Sequence, residues 1–549
     1  MVTLCMTTVG TKVVETTAVS NTLAKGIREV EVGRAQTDDE ATLERMGYAQ
    51  ELRRDLTLSQ SFGVSFSVIS VLTSIPYLFY YGLTTGGPAV MVWGWFFVSI
   101  FTMSVGLAMA EICSAYPTSG GPYFWAAMLS NPQNAPFVSW VTGWFNLIGQ
   151  IARTAATSFA CATFITVAAA INTDWVPSAG QTLGVFVAVL FAQGLIISCG
   201  VRTLRFLSNL SVPWVVLGIG CVVIAVLAKA PVHQPASFVF RTFIDYTFIA
   251  IDTPGWSQRA SPAYVAVIGL YMALSALTGF DASAYMTEET HNAARTAPIA
   301  IVTSIGASAL LGWILILALL FSMQDYDATA FAFNSVAQIF FDTLGPNGAI
   351  VLMVFVIGAA FWSGTFAIAS NSRMLYAFCR DGAIPGCQLS RKIHPGTRTP
   401  LYAVWLVCLM SFIISLPILG DYSAYAGVLS IAPIGLYISF GVPIALRVIY
   451  ADRFVRGPFH LGRYSYPIAI VALLWTAFIT IVFCLPELNP VNALTFNYAP
   501  VAVAVVLAFS LASWPFLSRT WLTGALLRQT TGAPPAHNGK RRSSYLPFS

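Results

Sequence analysis

The sequence predicts an all-α polytopic membrane protein with about twelve transmembrane helices. Three observations predict it. Of the 549 residues, 56% are hydrophobic and only 9% are charged, whereas a soluble domain carries about 25% charged residues. Apolar runs of bilayer-crossing length follow one another along the chain. The Lys and Arg residues fall almost entirely into alternate connecting segments. A chain this apolar cannot clothe itself in polar groups, so lipid is the solvent it suits.

The runs lie at about 60–82, 88–112, 136–170, 182–200, 206–228, 262–287, 298–322, 347–377, 400–419, 422–447, 466–486 and 499–518. A helix needs about 20 apolar residues to cross. The runs at 136–170 and 347–377 exceed that, so tilt or turns outside the membrane are expected there. Twelve spans put both termini on one side. With that side cytoplasmic, every Lys and Arg belongs to an inner segment except Lys229, Arg241 and Arg259, which lie outside, and Arg153, which lies within span 3. That asymmetry is the positive-inside rule, and an odd number of spans scrambles it.

The organisation then reads as a cytoplasmic N-terminal tail (1–55), a transmembrane domain (56–520) and a cytoplasmic C-terminal tail (521–549). The polar start lacks an early apolar segment, so no cleaved signal peptide is expected. Both tails, including the Lys540-Arg541-Arg542 cluster, read as flexible and dispensable for folding.

Composition excludes several classes of function. The net charge of +5 comes with no basic or acidic block that would suit nucleic acid. Nine cysteines are scattered, forming neither a disulfide framework nor a metal cluster. Five histidines, none inside a span, are a poor supply for a zinc or haem centre, so no metal or cofactor is expected. His291 and His394 are loop residues with no nucleophile or ligand spacing around them, which argues against a membrane enzyme. No repeated pore motif or charged ring suggests a channel.

Two spans carry sequence unsuited to a continuous helix. Span 1 is polar and β-branched at Ser70, Val71, Leu72, Thr73 and Ser74, and Pro76 follows. Span 6 reads Ser275, Ala276, Leu277, Thr278, Gly279, Phe280 and Asp281, with glycine and hydroxyls beside a carboxylate. Each stretch weakens a helix locally. Unwound backbone at membrane depth survives only where it lines a cavity or is buried in protein. Five spans separate the two breaks, the interval of a 5+5 inverted repeat with one repeat at about 60–228, the other at about 262–447, and trailing helices at about 466–518. A zwitterion suits such a site: its carboxylate would meet amides near Thr73 and Ser74, its ammonium the carbonyls near Ser70 and Ser275.

Seven ordered segments resemble the amino acid–polyamine–organocation (APC) superfamily, and within it the fungal-type amino acid/choline/GABA permease branch. They are AEICSAYPTSGGPYFW (110–125), GWFNLIGQ (143–150), TGFDASAYMTEETHN (278–292), SRMLYAFCRDGAIP (372–385), SIAPIGLYIS (430–439), GPFHLG (457–462) and NYAP (497–500). The resemblance implies the broken-helix 5+5 fold with two trailing spans. It also implies secondary transport, usually proton-coupled or by exchange, of amino acids, GABA, choline or related amines. By position, Ser70–Ser74 and Ser275–Asp281 match the family's unwound segments. Asp281 to Thr290 looks more like the amino acid and GABA members than the choline carriers. A choline or polyamine permease, or a nutrient sensor on the same fold, is the alternative. The expected partners are a small amino acid or amine, a coupled proton and the lipid bilayer, and the expected location is the plasma membrane, with the vacuolar membrane as the alternative.

Individual residues sharpen the picture. Asn146, Gln150, Arg153, Thr154 and Thr157 recur at helical spacing on one face of span 3. Arg153 departs from the branch, which commonly has an apolar residue there, and a mid-bilayer arginine must face protein or water. Two readings stand: contact with a substrate carboxylate or with a buried acid such as Asp281, or a structural role through Gln150 or by snorkelling. Asp281 reads either as a proton carrier or ammonium partner, or as a cap for the second half of span 6. Glu288 and Glu289 read as inner-gate candidates pairing with Arg202, Arg205 or Arg373, or as an exposed helix end. Glu111 reads as structural, bonding the loop at Gly120-Gly121. Of the aromatics Tyr271, Phe280, Trp362 and Tyr437, Phe280 is the one expected at the substrate. Span 5 has no lysine of the kind some relatives use in place of sodium.

Overall fold

The computed structural model describes residues 38–517 apart from 174, 250–252, 385–386, 421–426, 428–429 and 494. Among the described residues, strand-like pairing is limited to isolated bridges. This is what an apolar solvent enforces, because only helices satisfy every backbone group within the segment. Among the described residues, eleven helices are long and apolar enough to cross a membrane. The twelfth expected span is present as shorter pieces, so the all-α polytopic reading holds.

Span 1 comprises α1 (Leu58–Ile69) and α2 (Val71–Thr84). Spans 2 to 5 are α3 (Gly87–Ala115), α4 (Ala135–Ala170), α5 (Ala179–Ser198) and α6 (Val201–Lys229). Span 6 is α7 (Pro262–Gly269), α8 (Tyr271–Ala276) and α9 (Ala282–Tyr285). Spans 7 and 8 are α10 (Ala293–Phe321) and α11 (Ser335–Arg380). The last four are α12 (Leu401–Ser415), α13 (Ile431–Ile449), α14 (Ser465–Val482) and α15 (Ala499–Leu517). The length of α11 has a local cause. Gly345 adopts φ 71° ahead of Pro346, so a ten-residue stub precedes the spanning helix proper. Span 10 begins at Ile431, later than the expected 422, and most of 421–429 lies outside the described residues.

The most extensive packings set α10 along α3 and α11 along α4. These are span 7 on span 2 and span 8 on span 3. Each helix thus lies against its counterpart five spans earlier, the pairing that a pseudo-twofold between two five-helix repeats produces. Small residues allow the approach: a Cβ on Gly312 would sit 2.2 Å from the Trp95 ring, and one on Gly143 would sit 2.2 Å from Phe378. The trailing α14 packs on α13 and α3, whereas α15 leaves most of its surface facing outward.

Three expectations are corrected. The stretch before span 1 is not a dispensable tail over residues 38–57. Leu43, Leu52 and Leu56 are buried, and Asp39 caps the start of α10 by accepting from the amides of Asn292 (2.6 Å) and Ala293 (3.1 Å). Its leucines are few and widely spaced, so its apolar side does not stand out beside the spans. Glu111 does not bond the Gly120-Gly121 loop. It accepts from the Ser465 hydroxyl and, at 3.4 Å, from the Leu461 amide, fixing the start of α14. Two of the cysteines are not isolated: the turn after α11 brings Cys379 and Cys387 together as a disulfide, with Cα atoms 5.7 Å apart.

Candidate functional site

The break in span 1 falls at Ser70, whose φ of 38° and ψ of 74° are left-handed. That conformation is costly for a non-glycine residue and persists only where surroundings fix it. Here local bonds fix it. The Ser70 carbonyl accepts from the amides of Thr73 (2.8 Å) and Ser74 (2.9 Å), its hydroxyl meets that of Thr73 at 2.7 Å, and the Ser74 hydroxyl donates to Ile69 O at 2.8 Å. The hydroxyl-rich sequence thus replaces the bonds that the helix gives up. The positive end of the α2 dipole, with Thr73 and Ser74 in its first turn, is left at membrane depth.

The break in span 6 centres on Gly279, with φ 102°. The two breaks are stitched together by Ser65 of α1. Its hydroxyl donates to Phe280 O and accepts from the Ser283 amide, both at 2.9 Å. Nothing in the sequence singled out Ser65; only the position of the break across from it reveals its role.

Arg153 of α4 joins the same point. Its Nη2 donates to Val68 O (3.0 Å), at the end of α1, and to Thr278 O (2.5 Å), past the end of α8; Nη1 donates to the Thr278 hydroxyl (2.7 Å). The guanidinium therefore occupies the negative ends of both first half-helices. Gly279 makes this possible, because a Cβ there would lie 2.1 Å from Nη2. Val68 O also accepts from the Ser363 hydroxyl of α11 at 3.0 Å. No ion pair with Asp281 and no bond to Gln150 forms; the carbonyls at the breaks are the partners instead.

A cavity of about 130 Å³ lies beside this junction. Thr73, Ser74, Tyr77 and Leu78 line it from α2, and Arg153, Ala156, Thr157 and Ala160 from α4. Tyr271, Ser275 and Thr278 come from span 6, and Ala432, Pro433 and Leu436 from α13. Of the residues expected at a substrate, Thr73, Ser74, Ser275, Thr278 and Arg153 are brought together here. Ser70, Val71, Leu72, Ala276, Leu277, Gly279 and Phe280 are buried behind that wall. Phe280 packs on Phe440 at 5.6 Å, so the aromatic that faces the cavity from span 6 is Tyr271, held between Tyr81 and Phe483. The Ser275 carbonyl, expected to meet an ammonium, already accepts from the Thr278 hydroxyl at 2.7 Å.

Asn146, Gln150 and Asp281 form a second layer. Gln150 donates to Asp281 Oδ2 (2.7 Å) and to the Tyr285 hydroxyl (3.2 Å), which donates to Asn146 Oδ1 (2.8 Å). Asp281 makes no cap bond to α9, so the capping role does not hold. Its Oδ1 is buried without a partner among the described residues.

This architecture can be set against known proteins. The family model described as "Amino acid permease" matches residues 56–509, nearly the whole helical domain. The chain belongs to the amino acid permease family, within the APC superfamily. The permease is 41% identical over 501 residues to "Amino-acid permease BAT1" of Arabidopsis thaliana, covering 88% of this chain and 95% of that one. It is 40% identical over 515 residues to the "Amino-acid permease BAT1 homolog" of Oryza sativa subsp. japonica, covering 91% and 97%. It is 32% identical over 487 residues to an uncharacterized amino-acid permease of Schizosaccharomyces pombe, covering 87% and 88%. Membership implies an integral membrane transporter of amino acids rather than an enzyme.

Beyond the cavity, the permease is sealed at the face where residues 38–57 lie. Glu289 pairs with Arg373 at 3.2 Å, as anticipated. Glu288 pairs with Arg380, whose Nη1 and Nη2 each reach a carboxylate oxygen at 3.0 Å; the sequence reading missed this arginine. Arg202 and Arg205 are exposed and join no ion pair among the described residues; they lie on the outer side of α6, whose Val201 and Leu204 are the buried residues. Burial opposes the charge on Glu288, but Arg380, the Ser119 amide and Arg54 outweigh it and hold the carboxyl below its ordinary range. Burial prevails at Glu289, whose bonds to Arg373 are longer, and raises that carboxyl. The N-terminal segment closes over both pairs. Arg54 donates to the carbonyls of Thr287 (3.0 Å) and Thr290 (2.8 Å), and Arg380 lies 3.9 Å from the centre of the Tyr48 ring.

Proposed function

We propose that this permease imports amino acids, with GABA among its substrates, by alternating access at the cavity between spans 1, 3, 6 and 10, driven by a proton gradient. The observation that carries the reading is the convergence of both helix breaks on one small cavity. Discontinuous helices meeting at mid-membrane are the usual substrate site of secondary transporters. The positive end of the α2 dipole suits a carboxylate, although the Thr73 and Ser74 amides expected to meet it are already taken by Ser70 O, and Ser275, Thr278 and the rings of Tyr77 and Tyr271 suit an ammonium.

The barriers on the two sides differ. From the cavity toward the N-terminal segment come the Asp281–Gln150–Tyr285 layer, then the Glu288 and Glu289 ion pairs, then residues 38–57. On the other side Tyr271 packs between Tyr81 and Phe483. Packed groups on both sides of the cavity suit a carrier that opens to each side in turn. Asp281, buried and with one free oxygen, is the proton carrier in this scheme, and the Glu288 and Glu289 pairs form the inner gate. The termini are cytoplasmic, as the distribution of Lys and Arg favours, and the membrane is the plasma membrane.

Filling the cavity tests the reading. Ala156→Trp, on the wall contributed by α4, is expected to abolish uptake of labelled L-alanine and GABA by the full-length protein in liposomes while leaving it monodisperse. Unchanged uptake would remove this cavity from the transport path.

A further inference from the structure

We infer that Arg153 is the carboxylate receptor of the cavity and its specificity determinant, so that the site selects substrates bearing a carboxylate and discriminates against amines that lack one. The inference rests on the proposed amino acid site and gives it a charge rule.

A guanidinium has five N–H groups. Nη2 spends both of its protons on Val68 O and Thr278 O, and Nη1 spends one on the Thr278 hydroxyl. Nε is buried and has no acceptor among the described residues, and Nη1 keeps a second proton. A buried cation with unused donors is a strong point of attraction for an anion, because charge-assisted bonds gain strength where water is excluded. Arg153 lines the cavity, and so do Thr73 and Ser74 from the first turn of α2. Two positive features, a fixed charge and a helix N-terminus, thus face one small space.

No opposing charge shares the cavity with them, although Asp281 acts on the guanidinium from behind. Among the described residues, no acidic side chain lines the cavity. Asp281 is turned to Gln150 in the layer behind. The guanidinium cannot leave: Gly279 leaves it room, and the carbonyls at both breaks hold it. An amine without a carboxylate would enter beside a fixed positive charge with only hydroxyls and ring faces to receive it. A carboxylate would take the spare Nη1 proton, since Nε is enclosed in protein. Because the same guanidinium binds both broken helices, substrate recognition and the geometry of the breaks share one residue.

The test uses full-length protein in liposomes and simple analogues. Uptake of labelled L-alanine is challenged with propionate or ethylamine, and uptake of labelled GABA with butyrate or propylamine. In the wild type the carboxylates are expected to compete about 10- to 100-fold more strongly than the amines, the range for one charge-assisted contact in a desolvated site. Arg153→Gln is expected to raise KM by a similar factor and erase the difference between the analogues. Arg153→Lys keeps the charge and is expected to retain the preference at a higher KM. Amines competing as well as carboxylates in the wild type would overturn the inference, and so would an unaltered preference in Arg153→Gln. A purely structural arginine would lower stability in both variants without moving the preference. Ligand-induced thermal stabilisation of the wild type separates the two proposals. If nothing is transported but the carboxylates stabilise the protein and the amines do not, the transport reading fails and the role of Arg153 stands; if neither class stabilises it, both fail.

Discussion

The hydroxyl of Tyr48, ahead of the first span, donates to both carboxylate oxygens of Asp381, at 3.0 and 2.9 Å, 333 residues further along the chain. Tyr123 donates to the same carboxylate at 2.9 Å. One acid at the end of α11 thereby holds together the N-terminal segment and the short helix Pro122–Leu129 that follows α3. Tyr48→Phe removes one bond to a charged group, a loss of about 1.5–3 kcal/mol. The expected result is faster amide hydrogen exchange across residues 38–57 with little change in α3 or α4. Exchange that rises uniformly would show that the segment is not a separate latch.

The two glutamates beneath that segment should respond differently to pH and mutation. Glu288 is held below the ordinary range, so its contribution is fully present above the unfolded value of about 4.3 and is lost as pH falls through the lower folded value. Glu289 is held above it, so the folded protein binds the proton more readily than the unfolded chain. Stability from Glu289 is therefore greatest below about pH 4.3 and declines as pH rises through the raised folded value. Glu288→Gln leaves Arg380 under the segment without its partner and should cost about 3 kcal/mol or more. Glu289→Gln should cost less and flatten the pH dependence above about pH 4.3. Thermal denaturation of the detergent-solubilised protein across pH checks both; equal losses for the two variants would contradict the contrast.

Gly279→Ala should abolish transport. Its Cβ would fall 2.1 Å from Arg153 Nη2 and 2.4 Å from Cζ, at a φ of 102° that side chains rarely adopt. Gly220→Ala in α6 is the matched control, because nothing lies within 4 Å of its Cβ. Better helix propensity should leave that variant unchanged or more stable by up to about 1 kcal/mol. Uptake assays on both proteins decide it, and an active Gly279→Ala would show that the guanidinium need not sit at the break.

Apolar run length and the bias in Lys and Arg made the spans legible in the sequence, and both breaks were legible where glycine, proline and hydroxyls interrupt apolar sequence. The partners across the breaks were not. Ser65 reads as one serine among many until Phe280 is opposite it, and Arg380 reads as an arginine at a helix end until α11 carries it to Glu288. Arg153 stood out because a charge in mid-span is costly, but its two carbonyl partners belong to backbone, which sequence does not distinguish. The N-terminal segment was misread because its few leucines are too sparse to form a periodic pattern, although Leu43, Leu52 and Leu56 are buried. Hydropathy finds what faces lipid; it says little about polar side chains satisfied by distant parts of the chain.

Asp281→Asn separates proton coupling from substrate binding. The amide keeps the size of the side chain, and flipping lets it still meet Gln150, but it cannot carry a proton. Net uptake should lose its stimulation by a proton gradient, while exchange of internal for external substrate continues. Persisting stimulation would place the coupling group elsewhere.

The most direct measurement is uptake by the purified full-length protein in liposomes of labelled GABA, neutral amino acids, basic amino acids and choline, with and without an inward proton gradient. Saturable uptake of an amino acid, stimulated by the gradient and not reproduced with choline, is the predicted result. No accumulation of any of them, and no exchange from preloaded vesicles, by protein that remains folded would contradict transport and leave a nutrient sensor on this fold.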